Sequence, residues 1–218
     1  MSEAIGALHE AVKSGNLEAV RNALAANPEL LNQTNQSGQT AFLLAKYYRQ
    51  AAIAEYLLSL NPTLDLFQNC AAGRTEAVLD EIDRNPKLLE SHSSDGWTPL
   101  HLAAFFGHPE LAKALLNRGA QIEARSTNSM QNTPLHAAAA GAHLSTIELL
   151  LVQGADANAR QHGGWTALHA AAQTGNRPMA ELLLAHGAHK HVQADNNQTP
   201  LDMALSYGRS DLVALLES

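Results

Sequence analysis

A single cysteine, Cys70, stands in a chain of 218 residues, which excludes an internal disulfide framework and a four-thiolate metal site. No run approaches the roughly 20 apolar residues that span a bilayer. The opening residues, Met1-Ser2-Glu3-Ala4-Ile5-Gly6-Ala7-Leu8-His9-Glu10, have neither a basic n-region nor a long apolar core. No secretion signal is read there, and a cytoplasmic setting without membrane contact is the expectation. Cations are in deficit, 14 Lys and Arg against 21 Asp and Glu, a formal charge of −7. That balance argues against nucleic acid as the partner. Aromatic residues are scarce at 5%, whereas hydrophobic residues reach 45%. The apolar content is therefore small and aliphatic, which suits closely packed helices better than a β-sandwich. Motifs for zinc proteolysis, phosphate cradling, dinucleotide binding and a Ser nucleophile are all missing. No catalytic residue, cofactor or metal is expected.

The chain repeats instead. Thr98-Pro99-Leu100-His101 recurs as Thr133-Pro134-Leu135-His136, Thr166-Ala167-Leu168-His169 and Thr199-Pro200-Leu201-Asp202, at spacings of 35, 33 and 33 residues. A fixed period near 33 marks a solenoid. A degenerate copy, Thr40-Ala41-Phe42-Leu43, lies 58 residues upstream of Thr98. The same 58-residue offset carries Leu8, Gly15, Asn27-Pro28 and Gly38 onto Leu66, Gly73, Asn85-Pro86 and Gly96. Each such block thus holds one helix pair without a Thr-Pro-Leu-His start. Seven units result, approximately 3–39, 40–63, 64–97, 98–132, 133–165, 166–198 and 199–218, read as one domain.

Within a unit, Thr caps a first helix with Pro in its first turn. That helix runs from Leu100 to about Phe106 and stops at Gly107. Pro109 opens a second helix whose apolar face holds Leu111, Leu115 and Leu116. Gly119, Gly154 and Gly187 are placed to end second helices in the left-handed conformation, with Asn61 and Asn27 in that role in the earlier units. The stretch after each cap, such as Gly154-Ala155-Asp156-Ala157-Asn158-Ala159, reads as an extended finger.

Gly163-Gly164-Trp165-Thr166-Ala167-Leu168-His169-Ala170-Ala171-Ala172 and Gly154-Ala155-Asp156-Ala157-Asn158 resemble the pattern of ankyrin repeats. The resemblance covers essentially the whole chain. It implies an all-α solenoid of about seven stacked helix pairs with short β-hairpin fingers, and a non-enzymatic role in binding a protein or peptide. The unit at 40–63 departs from the pattern. It carries Arg49 where other units have Gly, and only Pro62-Thr63 follow Asn61, so no finger fits there. Its junction with the next unit is therefore expected to be the weakest, opening first between Leu58 and Leu66. The loop from Gly119 to Thr133 is two residues longer than its neighbours, which makes Ser126 to Gln131 a longer tip. Monomeric behaviour is expected, with charged Glu3, Glu10 and Lys13 on a capping first helix and the last unit ending without a finger.

Eleven histidines invite a chemical reading. His101, His136 and His169 fall in one repeated place, where the resemblance implies hydrogen bonding to the Thr and to backbone. His186, His189 and His191 alone have ligand-like spacing, and weak metal binding at that finger is an alternative. A second alternative is a regulatory subunit that presents substrate to an enzyme. Cys70 aligns with Val12 and reads as a core residue. Of ten aromatic residues, seven occupy equivalent places. Tyr47, Tyr48, Phe105, Phe106 and Tyr207 end first helices, and Trp97 and Trp165 precede the capping Thr. Successive helical residues differ by about 100°, so one ring of each adjacent pair must leave the core. The resemblance implies that these places line a concave face on which partners dock. Lys46 and Arg49 are candidates for pairing an acidic group there. Ala140 and Gly141 leave a gap in the stripe that reads as a hole for a partner side chain.

Overall fold

A computed structural model describes residues 2–217, so Met1 and Ser218 of the expected first and last segments lie outside it. The chain divides into two compact units, Met1–Ala71 and Ala72–Ser218. The first contains α1 (Ser2–Lys13), α2 (Leu17–Ala26), a 3-10 helix (Pro28–Asn32), α3 (Ala41–Tyr47), α4 (Ala51–Ser59) and most of α5 (Leu66–Ala72). Apolar residues four apart make each helix one-sided: Leu8 and Val12, Val20 and Leu24, and Ile53 and Leu57 are all buried. They draw α1 onto α2, α3 onto α4, and each pair onto the other.

The second unit contains α6 (Thr75–Arg84), a 3-10 helix (Pro86–Glu90), α7 (Pro99–Phe105), α8 (Pro109–Asn117), α9 (Pro134–Gly141) and α10 (Leu144–Val152). A tight turn at His162–Gly164 leads to α11 (Ala167–Thr174), α12 (Arg177–Ala185), α13 (Pro200–Ser206) and α14 (Ser210–Glu217). First helices α7, α9, α11 and α13 pack in one row, and α6, α8, α10, α12 and α14 in another. Ala103, Ala104, Ala137, Ala138, Ala171 and Ala172 are buried between first helices, and their small side chains let the helices approach. The second row supplies the bulk, with Leu111, Leu115, Ile147, Leu150, Met179 and Leu183 all out of solvent. At roughly 1.5–3 kcal/mol for each large apolar side chain buried, this row is the main adhesive of the stack.

The expected β-hairpin fingers are not seen among the described residues, and the stretches between repeats are turns and loops. No strand occurs among the described residues, and Thr34 and Thr40 form a single isolated antiparallel bridge. Each finger closes on itself by one backbone bond at its neck: Ser93 N–H to Trp97, Gln161 N–H to Trp165 and Ala194 N–H to Gln198, all at 2.9 Å. In the longer loop the corresponding bond, Ser126 N–H to the Asn132 carbonyl, encloses two more residues. Neighbouring tips join through Thr127 N–H to Gly96 O, His162 N–H to Met130 O and Asp195 N–H to Gly163 O, at 2.8–2.9 Å. One bond per side is too few for a ladder, which is why no strand forms.

Three expectations about helix ends meet different outcomes. Gly119, Gly154 and Gly187 adopt left-handed φ of 91°, 96° and 87°, and Asn61 does so at 52°. Asn27 does not: its φ is −147°, because the chain passes into the 3-10 helix that starts at Pro28 instead of turning back. The first helix of the fifth expected unit, α9, ends on Ala142 at φ 60°, a left-handed place that Gly107 and Gly175 fill in α7 and α11. As expected, residues 61–65 form no finger, and Thr63 N–H donates to Asn32 Oδ1 at 2.9 Å.

Candidate functional site

The repeated histidines form a structural clip. Thr98, Thr133 and Thr166 lie 2.8, 2.8 and 3.0 Å through their hydroxyls from Nδ1 of His101, His136 and His169. The backbone N–H of each Thr donates to the same Nδ1, at 3.4, 3.3 and 3.1 Å. A ring nitrogen that accepts from an N–H carries no proton, so the geometry assigns the proton to Nε2. Nε2–H then donates to the backbone of the last residue of the same repeat, just before the next capping Thr: Asn132 O at 2.9 Å, Trp165 O at 3.2 Å and Gln198 O at 3.1 Å. The neutral ring is the one that fits. Burial pushes His101 and His136 down to about 4, and pushes His169 down as well. At Thr199 an Asp replaces the histidine. Asp202 Oδ2 accepts from the Thr199 N–H at 2.8 Å and its hydroxyl at 2.7 Å, which holds the carboxyl below its ordinary range. A carboxylate has no proton to donate onward, so only the cap half of the clip survives there.

Tyr47, Tyr48, Phe105, Phe106 and Tyr207 fall at the C-terminal ends of first helices, and Trp97 and Trp165 precede the capping Thr of α7 and α11. In the first unit Tyr48 is 50% exposed, Tyr47 and Lys46 are half-buried, and Arg49 is exposed. Desolvation holds the Lys46 ammonium below the usual lysine range. In the second unit Phe105 and Phe106 are both half-buried, their rings edge to face at 5.0 Å. Trp97 meets Phe105 in the same way at 4.9 Å, and its ring lies 6.2 Å from that of His101. Trp165 packs edge-on against His169 at 5.3 Å. Both tryptophans thus pack on the histidine clip of the repeat that follows them and stay half-buried. Tyr207 is 50% exposed, and Gln173 Nε2 donates to its hydroxyl at 3.2 Å.

The row carries polar fixtures that sequence reasoning missed. Arg209 donates through Nε to the Gln173 carbonyl at 3.2 Å, its stem lying beneath Gly175. The pattern recurs: Gly73 faces the His108 ring, Gly107 the His143 ring, and in the first unit Gly15 faces Gln50. In each case the residue that opens a second helix fills the space a side chain would take on the preceding unit's left-handed glycine. The interval of 34–36 residues between such glycines and their partners was the available signal.

One expectation is corrected, and one alternative finds no support. Gly141 is not an open hole: it is buried, and a Cβ there would overlap the Phe105 carbonyl oxygen, so α7 itself occupies the gap. Only Ala140 is exposed at that step. His186, His189 and His191 do not form a metal cluster; among the described residues no group of three His, Cys, Asp or Glu has metal-binding geometry. His189 instead donates its backbone N–H to Asn158 Oδ1 at 2.8 Å. Cys70 is buried, as its alignment with Val12 implies. Among the described residues no helix is long and apolar enough to cross a membrane.

A family model described as "Ankyrin repeats (3 copies)" matches residues 8–126, 66–161 and 138–218. The chain belongs to the ankyrin-repeat family. Proteins to which the chain is similar include "Ankyrin repeat and SAM domain-containing protein 6" of Rattus norvegicus, 37% identical over 121 residues, 56% of this chain and 11% of that protein. Another is "Tyrosine-protein kinase Shark" of Drosophila melanogaster, 43% identical over 76 residues, 33% of this chain and 8% of the kinase. "Target of rapamycin complex 2 subunit AVO2" of Saccharomyces cerevisiae is 26% identical over 133 residues, 56% of this chain and 31% of the subunit. The chain spans no more than about a third of the length of these relatives. Ankyrin repeats generally mediate protein–protein interaction and are generally non-catalytic.

Proposed function

We propose that this chain is a non-enzymatic, cytoplasmic interaction module that binds a protein or peptide through the ends of its first helices. In this reading seven repeats, carrying hairpin-like fingers, act as one domain that is monomeric by itself. Tyr47, Tyr48, Lys46 and Arg49 serve on the first unit, and Trp97, Phe105, Phe106, Trp165 and Tyr207 on the second. The supporting observation is that no ring in this register is buried, although the row beneath it is fully packed. Aromatic side chains held half-exposed by fixed neighbours lose little freedom on binding, which favours them as anchors.

The magnitudes allow a modest complex. If five rings each bury on the order of 100 Å², the gross gain is about 12 kcal/mol at roughly 25 cal/mol/Å². Association costs on the order of 4–15 kcal/mol. Micromolar affinity is within reach of the rings, and tighter binding requires polar anchors such as Arg49 or the Tyr207–Gln173 pair.

The test is affinity capture from source-cell lysate with mass spectrometry, comparing the wild type with a folded Tyr48→Ala/Phe106→Ala variant. A protein held by the wild type and lost by the variant supports the reading. Equal capture by both moves binding to the fingers or to the second-helix row. The alternative of presenting substrate to an enzyme is met if the captured protein is a catalytic subunit.

A further inference from the structure

We infer that Arg49, together with Tyr48, forms an anion-reading spot for an acidic segment of a partner protein, which deepens the peptide-binding reading above and rests on it. The argument starts from an anomaly of backbone. Arg49 sits at φ 56°, in the place that Gly15 fills at 74° in the first repeat. In the second unit Gly73, Gly107, Gly175 and Gly208 fill it at 64–76°. A long β-substituted side chain is strained there and glycine is not. The fold would be better served by glycine, and the side chain gains nothing from the interior, since Arg49 is exposed. Among the described residues no carboxylate pairs with it.

Cations gather at the helix ends around this residue, although the first unit as a whole holds six acids against four cations. The first unit has four cations, and three of them, Lys13, Lys46 and Arg49, stand at the ends of α1 and α3. The fourth, Arg21, covers the ring of Tyr56 at 5.0 Å. Glu10 stands beside Lys13 and is held by it at 2.7 Å. The Lys13 ammonium also lies within electrostatic range of the Tyr48 hydroxyl. Cations in the last turn of a helix offset its dipole, and that accounts for Lys13 and Lys46. It does not account for Arg49, which lies past the helix end in a glycine place.

In a chain of net charge −7, this local excess selects an acidic ligand. A guanidinium binds a carboxylate through two parallel N–H donors, and the half-exposed Tyr48 ring beside it offers an apolar shelf. The occupant is therefore a stretch rich in Asp and Glu with an aliphatic or aromatic side chain next to the acids.

The test uses a phage-displayed random 12-residue peptide library selected against the full chain, its Arg49→Gly variant and its Phe106→Ala variant. Selected peptides are then labelled and titrated by fluorescence anisotropy at low and moderate salt. The wild type is expected to select peptides enriched in Asp and Glu. Arg49→Gly is expected to raise the melting temperature while weakening those peptides at least fivefold and flattening their salt dependence. If Arg49→Gly raises stability and leaves affinity unchanged, the inference is overturned. Selection of peptides without excess acid, lost in Phe106→Ala, overturns it while leaving the peptide-binding reading in place. No enrichment at all overturns both. Arg49-dependent flotation with phosphatidylserine vesicles in place of peptide enrichment reassigns the spot to a membrane surface and also overturns it.

Discussion

Lowering the pH below 6.5 should destabilise this protein through its histidine clips. His101 and His136 are held at about 4 in the folded chain, against about 6.5 when unfolded. The cause is burial, reinforced by an N–H that points at the nitrogen a second proton would need. Between pH 6.5 and 4 the unfolded chain binds more protons than the folded one. Stability is thus complete above the unfolded value and is lost as the pH falls toward the folded value. Each ring costs about 2 kcal/mol of stability by pH 5 and about 3 kcal/mol by pH 4. Two rings at pH 5 remove about 4 kcal/mol, a large share of the 5–15 kcal/mol typical of a domain. The assay is urea denaturation followed by circular dichroism at half-unit steps from pH 8 to pH 5. The wild type is compared with His136→Gln, whose neutral amide can replace both hydrogen bonds. The variant should lose about half of the pH dependence contributed by the two rings. A wild-type stability that is flat from pH 7 to pH 5, or a variant with an unchanged slope, refutes the reasoning.

Other outcomes follow from the same structure. Ala142→Gly relieves a left-handed residue and should stabilise by about 0.5–1 kcal/mol, whereas Gly107→Ala in the matching place should destabilise by at least about 1–2 kcal/mol, since its Cβ would also displace the His143 ring; paired chemical denaturation of the two variants reads both signs. Leu135→Ala, at a fully buried place in α9, should cost roughly 2–5 kcal/mol in the same measurement. Amide hydrogen exchange should show earliest opening between Leu58 and Leu66, where no finger joins the repeats, and uniform protection there would contradict that expectation.

The period, the Thr-Pro-Leu-His starts and most glycine caps were legible because each depends on residues within one turn of each other. Thr98 and His101 are three apart, and so is the capping they perform. What was not legible depends on the neighbouring unit. Asn27 and Asn61 look alike in sequence, each followed by Pro, yet only after Asn27 does the chain enter a 3-10 helix, which buries Leu30. The paired Asn-Pro and Leu-Leu at 27–31 and 85–89 were the signal for that element and for its copy at Pro86–Glu90. Gly141 read as a hole because sequence shows the missing side chain and not the Phe105 carbonyl that replaces it. At the candidate site, the register of the aromatics was visible, and so was the need for solvent-facing rings. Their edge-to-face packing, and the hold of Gln173 on Tyr207, arise between units and left no local mark.

The central claim, that partners dock at the ends of the first helices, is tested most directly by site-specific photocrosslinking. A benzophenone amino acid is placed at Phe106 in one variant and, in another, at Val152, which is 65% exposed at the end of second helix α10. After irradiation in source-cell lysate, the account predicts a discrete protein adduct from position 106 and none from position 152. An adduct from position 152 with none from position 106 would contradict it.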